Sequence, residues 1–233
     1  MIRILCLTLA LLASLAAQEL RFKPPEGWSA ASAETLPPNV KFMCVGKGRG
    51  NYPPSINLGI EPYKGTLKDY LGMMERVNKA YGDKWTNLGL LDTAAGKASL
   101  SQVEMNTQWG AVKLMHLVLI QDRKLYILTA AAKREEFSLY TPALLNSFKS
   151  VSLTPDVFAG TDPKARTLYR SLLSTHEKFL EEHPGMTDAA AFETEEFQQK
   201  WWLPFEEKMR QFDAPWSEDA IAHARSTLTA TYD

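Results

Sequence analysis

The chain has two cysteines, Cys6 and Cys44, too few to build a fold stapled by disulfides. It lacks an excess of either charge, with a formal net of −1, and no dense basic helix with interleaved aromatics appears. That argues against a nucleic-acid binder held by phosphate contacts. Long apolar runs are missing too. Ile4–Leu15 is the longest, and about a dozen residues fall short of the ~20 that span a bilayer. Signatures of chemistry are equally scarce. There is no G-x-S-x-G elbow, no H-E-x-x-H pair and no G-x-x-x-x-G-K-[ST] phosphate loop. No internal repeat or long low-complexity segment breaks the pattern.

What is present begins with an export signal over residues 1–17. Arg3 supplies a short positive region, Ile4–Leu15 is apolar except for Thr8 and Ser14, and the small Ala16 and Ala17 follow. Cleavage is expected just before Ala17 or Gln18, leaving a protein that is periplasmic or secreted. The remaining chain of roughly 215 residues is long enough to bury a core without crosslinks. Cys44 is then the lone cysteine. It alternates with Met43 and Val45 in a strand-like run, the setting of a small buried core residue.

Charge divides the mature chain. Residues 18–154 carry 17 basic and 12 acidic side chains, a net of +5, and residues 155–233 carry 8 and 15, a net of −7. The two regions are expected to attract each other, the acidic tail docking on the basic domain.

Periodicity gives the order of elements. Lys41–Val45 reads as a strand, and Ser55–Glu61 as a second with Ile56, Leu58 and Ile60 on one face. Thr66 and Asp69 form a capping-box variant ahead of a helical stripe of Leu67, Tyr70, Leu71, Met74, Val77 and Tyr81. Four strand-like runs follow, Trp85–Leu91, Lys97–Met105, Val112–Gln121 and Leu125–Ala132. The last two are apolar on both faces and belong at the centre of a sheet. Glu135–Lys149 is helical, with Phe137, Tyr140, Leu144, Leu145 and Phe148 buried and its main segment starting at Pro142. The order ββαββββα predicts an α+β fold, an antiparallel sheet with helices packed on it as an α/β/α sandwich. Beyond a boundary at Ser152–Asp156, an all-α extension is expected, with helices over 163–182, 188–212 (broken near Pro204) and 217–232.

Several stretches carry a resemblance: Phe22–Trp28, Ser55–Glu61 followed by Thr66–Leu71, the hairpin Leu117–Ala130, and Leu145–Lys149. Over residues 22–153 they resemble the PsbP-like group, which includes PsbP, the DcrB-like envelope proteins and the Ran-binding Mog-type relatives. The resemblance implies a binding, adaptor or assembly module that is often exported and often without enzymatic activity. The acidic helical tail departs from the group's minimal domain.

No residue is assigned a catalytic, cofactor-binding or metal-ligating role. His116, in a central strand with Val112, Leu114, Val118 and Ile120, is expected to be a buried, hydrogen-bonded core histidine. His176 and His183 are seven apart and lack the i,i+4 spacing of zinc ligands on a helix. Five residues are candidates for contact with a partner protein. Lys47, Arg49 and Tyr52 lie in a glycine-rich loop read as mobile, and Trp201 and Trp202 belong to the densest aromatic cluster. Adjacent helical tryptophans point about 100° apart, so one of that pair can be buried while the other stays near the surface. The leading expectation is a non-enzymatic protein-binding or assembly protein of the cell envelope, without cofactor, nucleic acid or membrane span. Two alternatives are a carrier of a small hydrophobic or anionic ligand between sheet and helix, and a hydrolase built around His116.

Overall fold

The computed structural model describes residues 19–32, 35–49, 51–212 and 215–230. The export signal expected over 1–17 lies outside the described residues, as do Gly50 and Tyr232. In chain order the elements are β1 (Glu19–Arg21), β2 (Ser29–Ala30), β3 (Val40–Val45), β4 (Ser55–Pro62), α1 (Leu67–Tyr81), β5 (Lys84–Thr93), β6 (Gly96–Thr107), β7 (Gly110–Gln121), β8 (Lys124–Lys133), α2 (Phe137–Lys149) and β9 (Ser152–Thr154). The tail adds α3 (Pro163–Glu182), α4 (Asp188–Phe192), α5 (Glu195–Phe197), a π-turn at Gln198–Trp202, α6 (Leu203–Gln211) and α7 (Ser217–Leu228).

Seven strands form one antiparallel sheet in the order β2-β3-β4-β8-β7-β6-β5, and β1 pairs with β9 in a small second sheet. The α+β class and the ββαββββα order are those expected, with the short β1, β2 and β9 added. The doubly apolar hairpin β7–β8 occupies the middle of the sheet. Its turn is only Asp122-Arg123, both at positive φ (51° and 59°), which suits the right-handed twist of the two strands.

Alternation assigns each face of the sheet a layer. Ile56, Leu58, Met115, Leu117, Leu119, Leu128 and Ala130 point toward α2, meeting Leu144 and Phe148 in the main core. Val118 and Leu125 point the other way, against Tyr70 of α1, with Leu67, Leu71 and Met74 around them. The thiol of Cys44 is buried in the main core, and desolvation pushes it up to about 12, so it is held as an unreactive thiol.

The cap of α1 is the one the sequence shows. Thr66 Oγ1 accepts from the Asp69 amide at 3.2 Å, and the Asp69 carboxylate accepts from the Thr66 amide at 3.0 Å. The Thr66 hydroxyl and amide hold the Asp69 carboxyl below its usual range. Replacing Thr66 with Ala is expected to cost about 1 kcal/mol, read as a lower urea midpoint at unchanged m-value.

Three details differ from expectation. The stripe of α1 stops short: Val77 and Tyr81 are exposed, Tyr81 at 80%, and Asn78 is buried instead. The Asn78 amide donates to the Met74 carbonyl at 2.7 Å, so a polar side chain is accommodated within the helix's own turn. Pro142 lies inside α2 and does not start its main segment. Only the Ser138 carbonyl loses an intrahelical partner, and Ser138 is exposed, so water can satisfy it. In the tail, the break at Pro204 takes the form of the π-turn Gln198–Trp202, and a second break falls at Thr194, which caps α5.

Candidate functional site

Strand β5 forms one edge of the large sheet, and it is ten residues long and mostly exposed. Side chains that pair across neighbouring strands share a face. On the α1 face the register aligns Asn57, Thr129, His116, Ser101 and Asn87 in one polar row across five strands. The adjoining row ends in Leu90, which pairs with Ser99 and is 64% exposed. Between α1 and β5 a groove of about 660 Å³ is lined by Leu67, Lys68, Leu71, Gly72, Glu75, Trp85 and Asn87. Leu88 is exposed where the pairing slips between Asn87 and Gly89. Gly89 takes φ +92° there, a conformation L side chains resist. Met73 and Val77 on α1 add further exposed apolar surface.

His116 is desolvated in the polar row, and burial pulls its imidazole from the ordinary 6.5 down to about 4. No hydrogen bond to the ring is found among the described residues, which corrects the hydrogen-bonded histidine expected from sequence. The side chain is half-buried, and near pH 7 its imidazole is neutral. It has a consequence for stability. Between pH 6.5 and 4 the unfolded chain binds a proton that the folded chain refuses, so stability falls as pH falls through that window. The loss is on the order of 3 kcal/mol at full protonation, and His116→Gln should flatten this part of a stability–pH curve. His223, also lowered by burial, acts in the same direction and remains as background.

Among its described residues, the glycine-rich loop read as mobile from composition is hydrogen-bonded to the rest of the fold at Gly46, Lys47 and Arg49. The Gly46 amide donates to the Pro54 carbonyl at 2.8 Å, and Tyr140 of α2 donates its hydroxyl to the Lys47 carbonyl at 3.2 Å. The Arg49 amide reaches the Glu136 carboxylate at 3.5 Å. Glycine is required at position 46, because a Cβ there would lie 2.5 Å from the Trp28 ring. The Lys47 and Arg49 side chains point to solvent, and Tyr52 packs its ring 5.8 Å from Trp109. In the tail Trp202 is fully buried between Phe192 and Phe205, while Trp201 is partly exposed against Phe179 and Phe197. The structure thus keeps Lys47, Arg49 and Tyr52 together on the α2 side and sets Trp201 and Trp202 apart from them in the helical tail.

Arg21 and Trp216 were not singled out from the sequence. Trp216 opens α7, yet its ring is buried in the core of the sheet domain, stacked on Phe42 at 4.0 Å and edge-on to Phe22 at 5.6 Å. Its indole donates to the Phe22 carbonyl at 3.1 Å. Arg21 lies over the same ring, 4.5 Å from its centre, and ion-pairs with Asp219 at 2.7 Å. The only sequence signal was a tryptophan just ahead of a helix with an acidic residue three positions on.

Among the described residues no group of three His, Cys, Asp or Glu side chains is placed to hold a metal ion, and no helix is long and apolar enough to cross a membrane. No family model and no curated protein matches the chain. Solved structures are similar to it at low identity. LpqN, involved in cell envelope biogenesis of Mycobacterium tuberculosis, is 13% identical, with 62% of this chain and 88% of that one covered and a TM-score of 0.44. Cyanobacterial PsbP from Synechocystis is 12% identical, with 61% and 95% covered and a TM-score of 0.39. The Ran-binding protein Mog1p of Saccharomyces cerevisiae is 18% identical, with 56% and 81% covered and a TM-score of 0.37. Two of these three, cyanobacterial PsbP and Mog1p, bear names of the group that residues 22–153 resemble in sequence.

Proposed function

We propose that this is an exported, non-enzymatic protein-binding or assembly module of the cell envelope, with its partner seated along β5 and α1. The observation that carries the reading is the open edge itself. A long edge strand with exposed Leu88 and Leu90 beside an apolar groove offers a partner apolar side chains and, on either side of the bulge at Asn87–Gly89, free backbone groups. An imidazole pulled down to about 4, with no carboxylate hydrogen-bonded to it among the described residues, supports a binding role over a hydrolase built around His116. In the working form the tail stays docked on the sheet domain through Trp216 and the Arg21–Asp219 pair.

Crosslinking capture from native envelope extract tests the reading, with wild type and Leu90→Lys run in parallel. A protein partner crosslinked to β5 or α1 in wild type, and lost in Leu90→Lys, is expected. Recovery of the bait alone, or a partner indifferent to Leu90→Lys, overturns the proposal.

A further inference from the structure

A separate groove runs between α3 and α6, on residues that the partner-binding reading does not use. On α3, Lys164, Thr167, Leu168, Ser171, Leu172 and Thr175 recur at helical spacing and share one face. Trp201, Pro204, Phe205 and Lys208 face them across the gap. Two adjoining cavities, of about 150 Å³ and 470 Å³, share Leu168, Ser171 and Lys208 and form one trough.

The trough has an apolar floor and a cationic rim. Leu168, Leu172 and Phe205 line the bottom, the partly exposed Trp201 forms a wall, and the amines come from Lys164, Lys200 and Lys208. These are three of the eight basic residues in a tail that carries 15 acidic ones. Lys200 is engaged by Glu196 at 2.6 Å, whereas Lys164 and Lys208 have no ion pair among the described residues. The face of α3 from Lys164 to Thr175 is about 16 Å long, and half the ~30 Å hydrocarbon thickness of a bilayer is about one acyl chain. The volume is that of a small-molecule site and not of a docked helix, whose cylinder is about 10 Å across.

We infer that the α3–α6 trough binds a single-chain anionic amphiphile of the fatty-acid type. The chain runs along the trough over Leu168, Leu172 and Phe205 to Trp201, and the carboxylate is met in the larger cavity by Lys208 and Lys164, with Ser171 beside the chain. Lysine at this position selects for a negative head, since a cationic head on the same chain would meet like charge.

Full-length mature protein titrated calorimetrically with monomeric dodecanoate, and separately with dodecyltrimethylammonium, decides the matter. Dodecanoate should bind one-to-one and dodecyltrimethylammonium at least about tenfold more weakly. Lys208→Glu should reverse that preference, a result that mere loss of stability cannot produce. Ser171→Trp, filling the shared part of the trough, should abolish binding of both while circular dichroism stays native. Equal binding of the two amphiphiles, no effect of either variant, or binding only to phosphatidylglycerol vesicles and not to the monomer would overturn the inference.

Discussion

Replacing Trp216 with Ala is expected to cost about 3–5 kcal/mol and to split one unfolding transition into two. The size follows from what the ring does. It is a fully desolvated aromatic belonging to the tail by sequence and to the sheet domain by packing, stacked on Phe42 and hydrogen-bonded to the Phe22 carbonyl. Apart from it, the buried apolar residues of the tail form their own cluster around Phe179, Phe197, Trp202 and Met209. Removing Trp216 leaves two cores with little apolar surface in common, so each should melt on its own terms. Differential scanning calorimetry checks this. A single transition in Trp216→Ala, shifted or not, would show that the cores are coupled elsewhere.

The Arg21–Asp219 pair gives the matching electrostatic test. The Arg21 side chain is 5% exposed and its Nε has no hydrogen-bond partner, and its charge is met by Asp219, more distantly by Glu19 at 4.0 Å, by the Leu20 and Val157 carbonyls and by the face of the Trp216 ring. Breaking a fully buried pair costs about 3–5 kcal/mol, but the Asp219 side chain is 41% exposed and water can partly replace it. Asp219→Asn should therefore cost about 1–2 kcal/mol. The aromatic contact makes the junction less sensitive to salt than long-range attraction between a basic and an acidic region, which is screened within about 8 Å at physiological ionic strength.

Trp202→Ala is the second large effect, again about 3–5 kcal/mol, and its neighbour is the control. Trp202 is enclosed by Phe192 and Phe205, with the Arg225 guanidinium 5.1 Å from its ring centre. Trp201 keeps part of its surface in water, so Trp201→Ala should cost no more than about half as much. Denaturant midpoints of the two variants measure the difference. If the costs were equal, the π-turn would not be fixing the directions of these two side chains.

Residue chemistry within a few positions along the chain determined much of this molecule. Alternation in Ile56-Asn57-Leu58, the doubly apolar β7 and β8, and the Thr66–Asp69 cap specify strands, a central hairpin and a helix start, because each depends on local geometry. The same locality explains the errors. Val77 and Tyr81 continue the stripe of α1, but whether a stripe is covered depends on where the sheet beneath it ends. The glycine-rich loop reads as mobile from its composition, whereas its contacts with Trp28, Glu136 and Tyr140 come from elsewhere in the chain and leave no local signal.

The candidate sites were less legible still. A polar row from Asn57 to Asn87 exists only through strand register, and the α3–α6 trough only through the packing of two helices. Trp216 reads as the start of a helix, and only the tertiary structure decided that its ring completes a core nearly two hundred residues upstream. Hydrophobic burial is non-directional and takes no account of sequence distance, so local periodicity can say that a tryptophan will be buried but not against what.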